Sequence, residues 1–223
     1  MTAPAQLWIV GHGPGLGAAL AARFAREHWG VLALSRRASV AALAVGTHTS
    51  LDVLAADAPA RLARLIAEHG APRVLVYDVG VFKRAPFAAL GEGDFRACWE
   101  GMALGAFRVA QAVLPAMVQA GGGTLIFSGA TASLRGGAEF AAFASAKFAL
   151  RGLAQALARA YQPQGVHVVH AILDGVIGGS ARAGQYSARL DPGAVADAYW
   201  QLAQQPSGAW THELDLRGAD EPF

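Results

Sequence analysis

Short apolar runs alternate with longer helical stretches along the whole chain, and that alternation leaves few folds open. The runs fall at 7–10, 31–34, 49–51, 74–77, 124–127, 166–172 and 213–216. Most are continuously apolar, as strands buried on both faces are. Helical stretches lie between them, near 15–28, 57–69, 94–120, 140–162 and 193–204. Asp94 and Pro192 stand near two helix starts, and three glycines at 121–123 end another helix. The expectation is an α/β chain forming a single domain over 1–223. Its core is a doubly wound, Rossmann-like parallel sheet of about seven strands with helices on both faces.

Composition narrows the function classes. Apolar residues make up 54% of the 223 and charged residues 15%, which suits a buried core and excludes a disordered chain. The net charge is +2, and the basic residues are scattered without a run or stripe, so no nucleic-acid partner is expected. Cys98 is the sole cysteine, which excludes a disulfide framework and a cysteine-based metal site and fits a reducing, cytoplasmic setting. The seven histidines show no metal-ligand spacing, and no metal is expected. The first stretch, "QLWIVGHGPGLGAALAARFAREHWG", is rich in glycine, is broken by Arg23 and Arg26, and lacks a signal-peptide pattern. No uncharged apolar run reaches about eighteen residues, so no membrane span is expected.

The first strand runs directly into "GHGPGLG". Gly11, Gly13, Gly15, Leu16 and Gly17 form a candidate phosphate cradle, where glycine lets backbone approach a pyrophosphate at a helix N-terminus. The second strand ends in "LSRR". A carboxylate there would hold the ribose hydroxyls of NAD. Ser35, Arg36 and Arg37 stand in its place, and guanidinium groups suit a 2′-phosphate. NADP is therefore the expected cofactor, with NAD the lesser alternative. The glycine-rich segment 175–191 follows a strand and is the candidate substrate loop.

These features together resemble the short-chain dehydrogenase/reductase family, and the resemblance runs over essentially the whole chain. Gly11, Gly15 and Gly17 fit its Gly-x-x-x-Gly-x-Gly spacing. "LDV" is similar to its adenine-contacting segment, which would make Asp52 and Val53 cofactor residues. "YDVG", Tyr77 to Gly80, stands at the family's Asn-Asn-Ala-Gly stretch and brings in Asp78 and Gly80. "LDGVI" matches the strand end beside the nicotinamide, with Asp174 where proline is usual and with Gly175 and Ile177 near the cofactor. The helix carrying "FRVAQAVLPAM" is similar to one used in subunit contacts, which implies a homodimer or homotetramer.

The family's Asn-Ser-Tyr-Lys catalytic set is only partly retained. In "FAAFASAK" the lysine is Lys147, one of two in the chain, and it would hold the nicotinamide ribose. The tyrosine position is Phe143, the serine position Ala130 and the asparagine position Met102. Phe140 occupies the tyrosine position of enoyl-reducing relatives. Ser128, Thr131, Ser133, Asp174 and Tyr186 are the candidate polar groups to stand in for the lost ones, Asp174 and Tyr186 as substitute proton donors. Two function classes follow. One is an NADP(H)-dependent oxidoreductase with an altered catalytic set, acting on an unknown small molecule. The other is a non-catalytic NADP(H)-binding protein, a redox sensor or a silent partner in an oligomer.

Overall fold

The computed structural model describes residues 4–36, 45–178 and 189–219. Arg37, Tyr186 and most of the 175–191 segment lie outside them. Seven strands form one parallel sheet: β1 Gln6–Val10, β2 Gly30–Ser35, β3 Thr47–Ser50, β4 Val74–Tyr77, β5 Gly123–Ser128, β6 Val166–Asp174 and, after two short strands, β9 Glu213–Arg217. Their order across the sheet is β3-β2-β1-β4-β5-β6-β9. Each run expected from the sequence is a strand: β4 has the expected bounds, β1, β2, β5, β6 and β9 are one or two residues longer, and β3 starts two residues earlier and ends one earlier, at Ser50.

The five inner strands, β2, β1, β4, β5 and β6, are largely apolar because both faces are covered. On one face Trp8, Val10, Leu32, Leu34, Leu75 and Phe127 pack against helices α2 (Ala58–His69), α4 (Gly105–Gln119) and α5 (Ala141–Tyr161). On the other, Leu7, Ile9, Val31, Val76 and Ile126 meet α1 (Leu16–Ala25) and α6 (Pro192–Ala203). Adjacent residues of β1 thus serve opposite layers, as the two-residue period of a strand requires. Chain order reverses between β1 and β4, and the carboxyl ends of strands leading in opposite directions leave a crevice there.

The stretch read as one helix near 94–120 is a helix with a defect. Helix α3 (Glu92–Trp99) passes through a π turn, Glu100–Leu104, into α4. The Tyr77 hydroxyl donates to the Gly101 carbonyl, giving that turn's backbone a partner outside the helix. Gly105 makes room for it, since a Cβ there would lie 2.4 Å from the tyrosine oxygen. The combined segment 92–119 is long and apolar enough by composition to cross a membrane. Its Val109, Val113, Leu114 and Met117 are nevertheless buried against the sheet, so its apolarity is spent on the core. Two short strands, β7 Val176–Ile177 and β8 Arg189–Leu190, pair in parallel and tie together the two ends of the candidate substrate loop.

Between α4 and β5, Gly122 has φ +99°, and a Cβ on it would stand 2.1 Å from the Gly165 carbonyl oxygen. A left-handed residue other than glycine costs about 1–2 kcal/mol before any clash is counted. Gly122→Ala is expected to destabilise the fold by at least ~2 kcal/mol, a fall in Tm of roughly 4–8 °C by calorimetry.

Candidate active site

The glycine turn is built from two close approaches and an open wall. Gly11 has φ +95°, and a Cβ on it would lie 2.7 Å from the backbone of Asp78 and Val79. A Cβ on Gly17 would lie 3.0 Å from His12 Cα, so α1 packs hard against the turn. Gly13 and Gly80 are different: an added Cβ would meet nothing within 4 Å among the described residues. Gly15 has only Ile177 near it, at 3.9 Å. Helix α1 begins at Leu16 without a side-chain cap and without an acidic residue in its first turn. Its free N–H groups and positive dipole end therefore face the space that Gly13, Gly15 and Gly80 leave open. These residues fit a pyrophosphate.

At the end of β2, Arg36 is exposed and Ser35 is bonded to His48 on β3, Oγ to Nε2 2.8 Å. His12, buried in the turn itself, has no hydrogen-bond partner for either ring nitrogen among the described residues and stands edge-on to His48, centroids 6.2 Å apart. Burial, and secondarily the neighbouring His48, lowers the His12 pKa. Asp52 accepts from the Leu54 N–H through Oδ1 at 3.0 Å, closing a local turn, and Val53 is buried against the core. The contribution of His12 and His48 was invisible in the pattern, because their contact joins a turn to an edge strand.

At the opposite end, α5 presents Phe143 and Lys147 on one face, four residues apart. Lys147 is 5% exposed, donates to the Ser128 carbonyl at 2.7 Å, and lies 5.7 Å from the Phe143 ring centre. Phe143 meets the exposed Phe82, ring centres 5.3 Å apart, and Phe82 also meets Phe140. Met102 sits in the π turn, buried with Cys98, Ala142 and Ala146 and with Phe143 against them. Met102 and Phe143, the residues expected at the asparagine and tyrosine positions, thus belong to one apolar cluster.

The hydroxyls beside Ala130 are all engaged. Ser133 accepts from the Ala130 N–H at 3.2 Å. Thr131 donates to Asp174 Oδ1. Arg217 lies 3.4 Å from Asp174 Oδ2, so this carboxylate is an acceptor held by a cation and a hydroxyl. Its predicted role as a replacement acid does not fit those contacts. Gly175 follows it with φ +144°, a bend suited to glycine. Ser128 bonds the Asp78 carboxylate and, at 3.1 Å, the hydroxyl of the fully buried Tyr199 on α6. Tyr199 belongs to this polar group although nothing in its local sequence marks it.

Burial dominates the electrostatics. It pushes Asp78 up to about 6, against the opposing Ser128 hydrogen bond and Lys147 charge. It pushes Lys147 down to about 8, against the attraction of Asp78. Tyr199 is raised by burial and by Asp78, and it keeps its proton. At neutral pH the centre therefore holds a carboxylate and an ammonium, each less comfortable in its charged form than in water.

The chain matches the short chain dehydrogenase family over residues 6–187. It is similar to a short-chain dehydrogenase from Rhodopseudomonas palustris, 36% identical with a TM-score of 0.83, covering 98% of this chain and 99% of that one. An alcohol dehydrogenase from the archaeon Thermococcus sibiricus, complexed with 5-hydroxy-NADP, has the same fold, with a TM-score of 0.86 at 22% identity and coverage of 98% of each chain. D-threitol dehydrogenase of Mycolicibacterium smegmatis is 29% identical over 170 residues, 72% of this chain. The match spans 65% of that relative's own length, and one to human 17-beta-hydroxysteroid dehydrogenase type 1 spans 32% of its length.

Asp78 supplies a pH test. Its folded pKa of about 6 exceeds the ordinary 3.8, so between those values the native state binds more protons than the unfolded one. Its contribution to stability therefore falls as pH rises through that window and stays low above it. Asp78→Asn removes this term. The Tm difference, variant minus parent, is expected to increase from pH 3.8 to 6, whatever constant offset the lost carboxylate brings.

Proposed function

The chain belongs to the short-chain dehydrogenase family, and from that premise we propose that it is an NADP(H)-dependent oxidoreductase whose usual Tyr, Ser and Asn groups are absent. The observation that carries this reading is the open glycine wall, with Arg36 at one end and Lys147 at the other. The α1 N-terminus and the backbone at Gly13 and Gly15 would hold the pyrophosphate. Arg36 would pair with the 2′-phosphate, Asp52 and Val53 would border the adenine, and Lys147 would hold the nicotinamide ribose. Bound there, the dihydronicotinamide supplies hydride. The residues around it shape what hydride can reach: Phe82, Phe140 and Phe143 make an apolar wall that sheds water and gives no proton to a developing alkoxide.

The substrate of such a site is a small molecule whose double bond is already polarised, an imine or an activated carbonyl. An ordinary ketone loses the roughly 10²–10⁴-fold help of a positioned acid unless a residue other than the family's tyrosine supplies the proton. The burial of Phe143 with Met102 also favours a second reading, a nucleotide-binding protein without turnover. Single-turnover consumption of bound NADPH across carbonyls, imines and enones separates the two. Phe143→Tyr is expected to bring a partial gain in ketone reduction, because Ala130 and Met102 remain unchanged. Family-typical ketone rates in the parent would overturn the missing-acid reading.

Cofactor choice is open to a direct test. Hydrogen bonds to charged groups contribute about 1.5–3 kcal/mol, enough for at least a tenfold preference. NADPH is expected to bind at least about tenfold tighter than NADH, and Arg36→Ala to erase most of that gap while leaving NADH nearly unchanged. Equal affinities by calorimetry in the unmodified protein would refute the assignment.

Assembly follows from an apolar face. Phe95 and Trp99 on α3, Phe107 on α4 and Phe148 on α5 are each about 40% exposed. Large apolar residues concentrated on adjoining helices call for cover. A homodimer or homotetramer is expected, and a monomeric mass by light scattering at micromolar concentration would contradict it.

A further inference from the structure

Where the family keeps a tyrosine hydroxyl, this chain leaves one ionisable hydrogen-bond donor beside the vacancy. An ammonium carries three N–H donors. Among the described residues only the Ser128 carbonyl accepts from Lys147 Nζ, at 2.7 Å. The same nitrogen stands 5.7 Å from the centre of the Phe143 ring, which holds the tyrosine's place. Thr131 is committed to Asp174 and Ser133 to the backbone of Ala130. Ser128 is bonded to both Asp78 and Tyr199.

Resting on the reductase reading above, we infer that Lys147 is itself the proton donor of the reaction, with Asp78 as the carboxylate that keeps it cationic. Asp78 stands at a position where the family has a neutral asparagine. The step balances. As hydride reaches the carbon of a C=N or C=O bond, its π pair moves onto the heteroatom. The heteroatom takes a proton from Nζ, one N–H bond breaking as the new bond forms. The nicotinamide cofactor is the species oxidised, and the neutral amine recovers its proton from water.

The charged and titratable groups around Lys147 agree with this role. Burial lowers its pKa while Asp78, in the turn after β4, raises it, and the outcome is about 8, an acid matched to neutral pH. On β6, His170 is lowered to about 4 by burial and so stays uncharged near pH 8. Tyr199 on α6 reaches the cluster through Ser128 and keeps its proton. Arg151, one turn further along α5, is paired with Glu213.

The chain has only Lys83 and Lys147, which makes the test direct. With lysine labelled at Cε and Lys83→Arg in place, one NMR signal reports Lys147 in the cofactor-free protein. It is expected to titrate near 8, and Asp78→Asn is expected to move it lower. Single-turnover reduction should decline above the same pH and shift with it in that variant. Lys147→Arg keeps the charge but does not release a proton, so NADPH affinity should hold within about threefold while reduction falls at least ~100-fold. A Lys147 titration at the ordinary 10.5, or an activity limb that Asp78→Asn leaves in place, overturns the donor role. Expected titration with no NADPH consumption on any imine or carbonyl overturns the reductase reading, and the donor role with it.

Discussion

The active end of the molecule depends on one contact between two stretches of backbone. Gly11, leaving β1, lies so close to the peptide joining Asp78 and Val79 beyond β4 that no side chain fits between them. That contact brings the glycine turn and the Asp78 segment to a single crevice. It also fixes the direction in which α1 departs, and hence where its N-terminus is aimed. A parallel sheet supplies the crevice at its switch point, but this contact makes it narrow enough for backbone to line it.

A second constraint is the burial of charge beside that crevice. Ser128, Tyr199 and Lys147 come from three different elements, β5, α6 and α5, and Asp78 from the turn that follows β4. A half-buried carboxylate and a buried ammonium are costly apart, and removing either one leaves the other less compensated. With the apolar Met102 and Phe143 packed nearby, the polar groups of this end of the molecule are concentrated in this cluster.

The fold was legible because the strands are buried on both faces and therefore read as uninterrupted apolar runs. Even the short edge strand β3 was marked, by its position between the "LSRR" turn and "LDV". The cofactor side of the site was legible for a related reason, since a turn that must approach phosphate leaves glycines at fixed offsets. Other features were hidden. The π turn at 100–104 leaves no mark in apolar periodicity over so short a span, and its cause, Tyr77, sits on a different strand. Tyr199, His12 and His48 join the site through contacts between elements far apart in the chain, which no local pattern encodes. Asp174 was read as a free acid at a strand end, and its partner Arg217 comes from the last strand of the sheet.

The π turn also bears on how this chain tolerates insertion and deletion. One surplus residue in a helix turns everything beyond it by about 100°. Here it lets Cys98 and Met102 face α5 while Val109 and Val113 face the sheet. Losing a single residue from 100–104 would restore a regular helix and swing the core-facing stripe of α4 toward its flank. Substitutions in that segment alter one contact each, whereas a change of length alters the register of the whole helix. The segment should therefore accept changes of letter far more readily than changes of count.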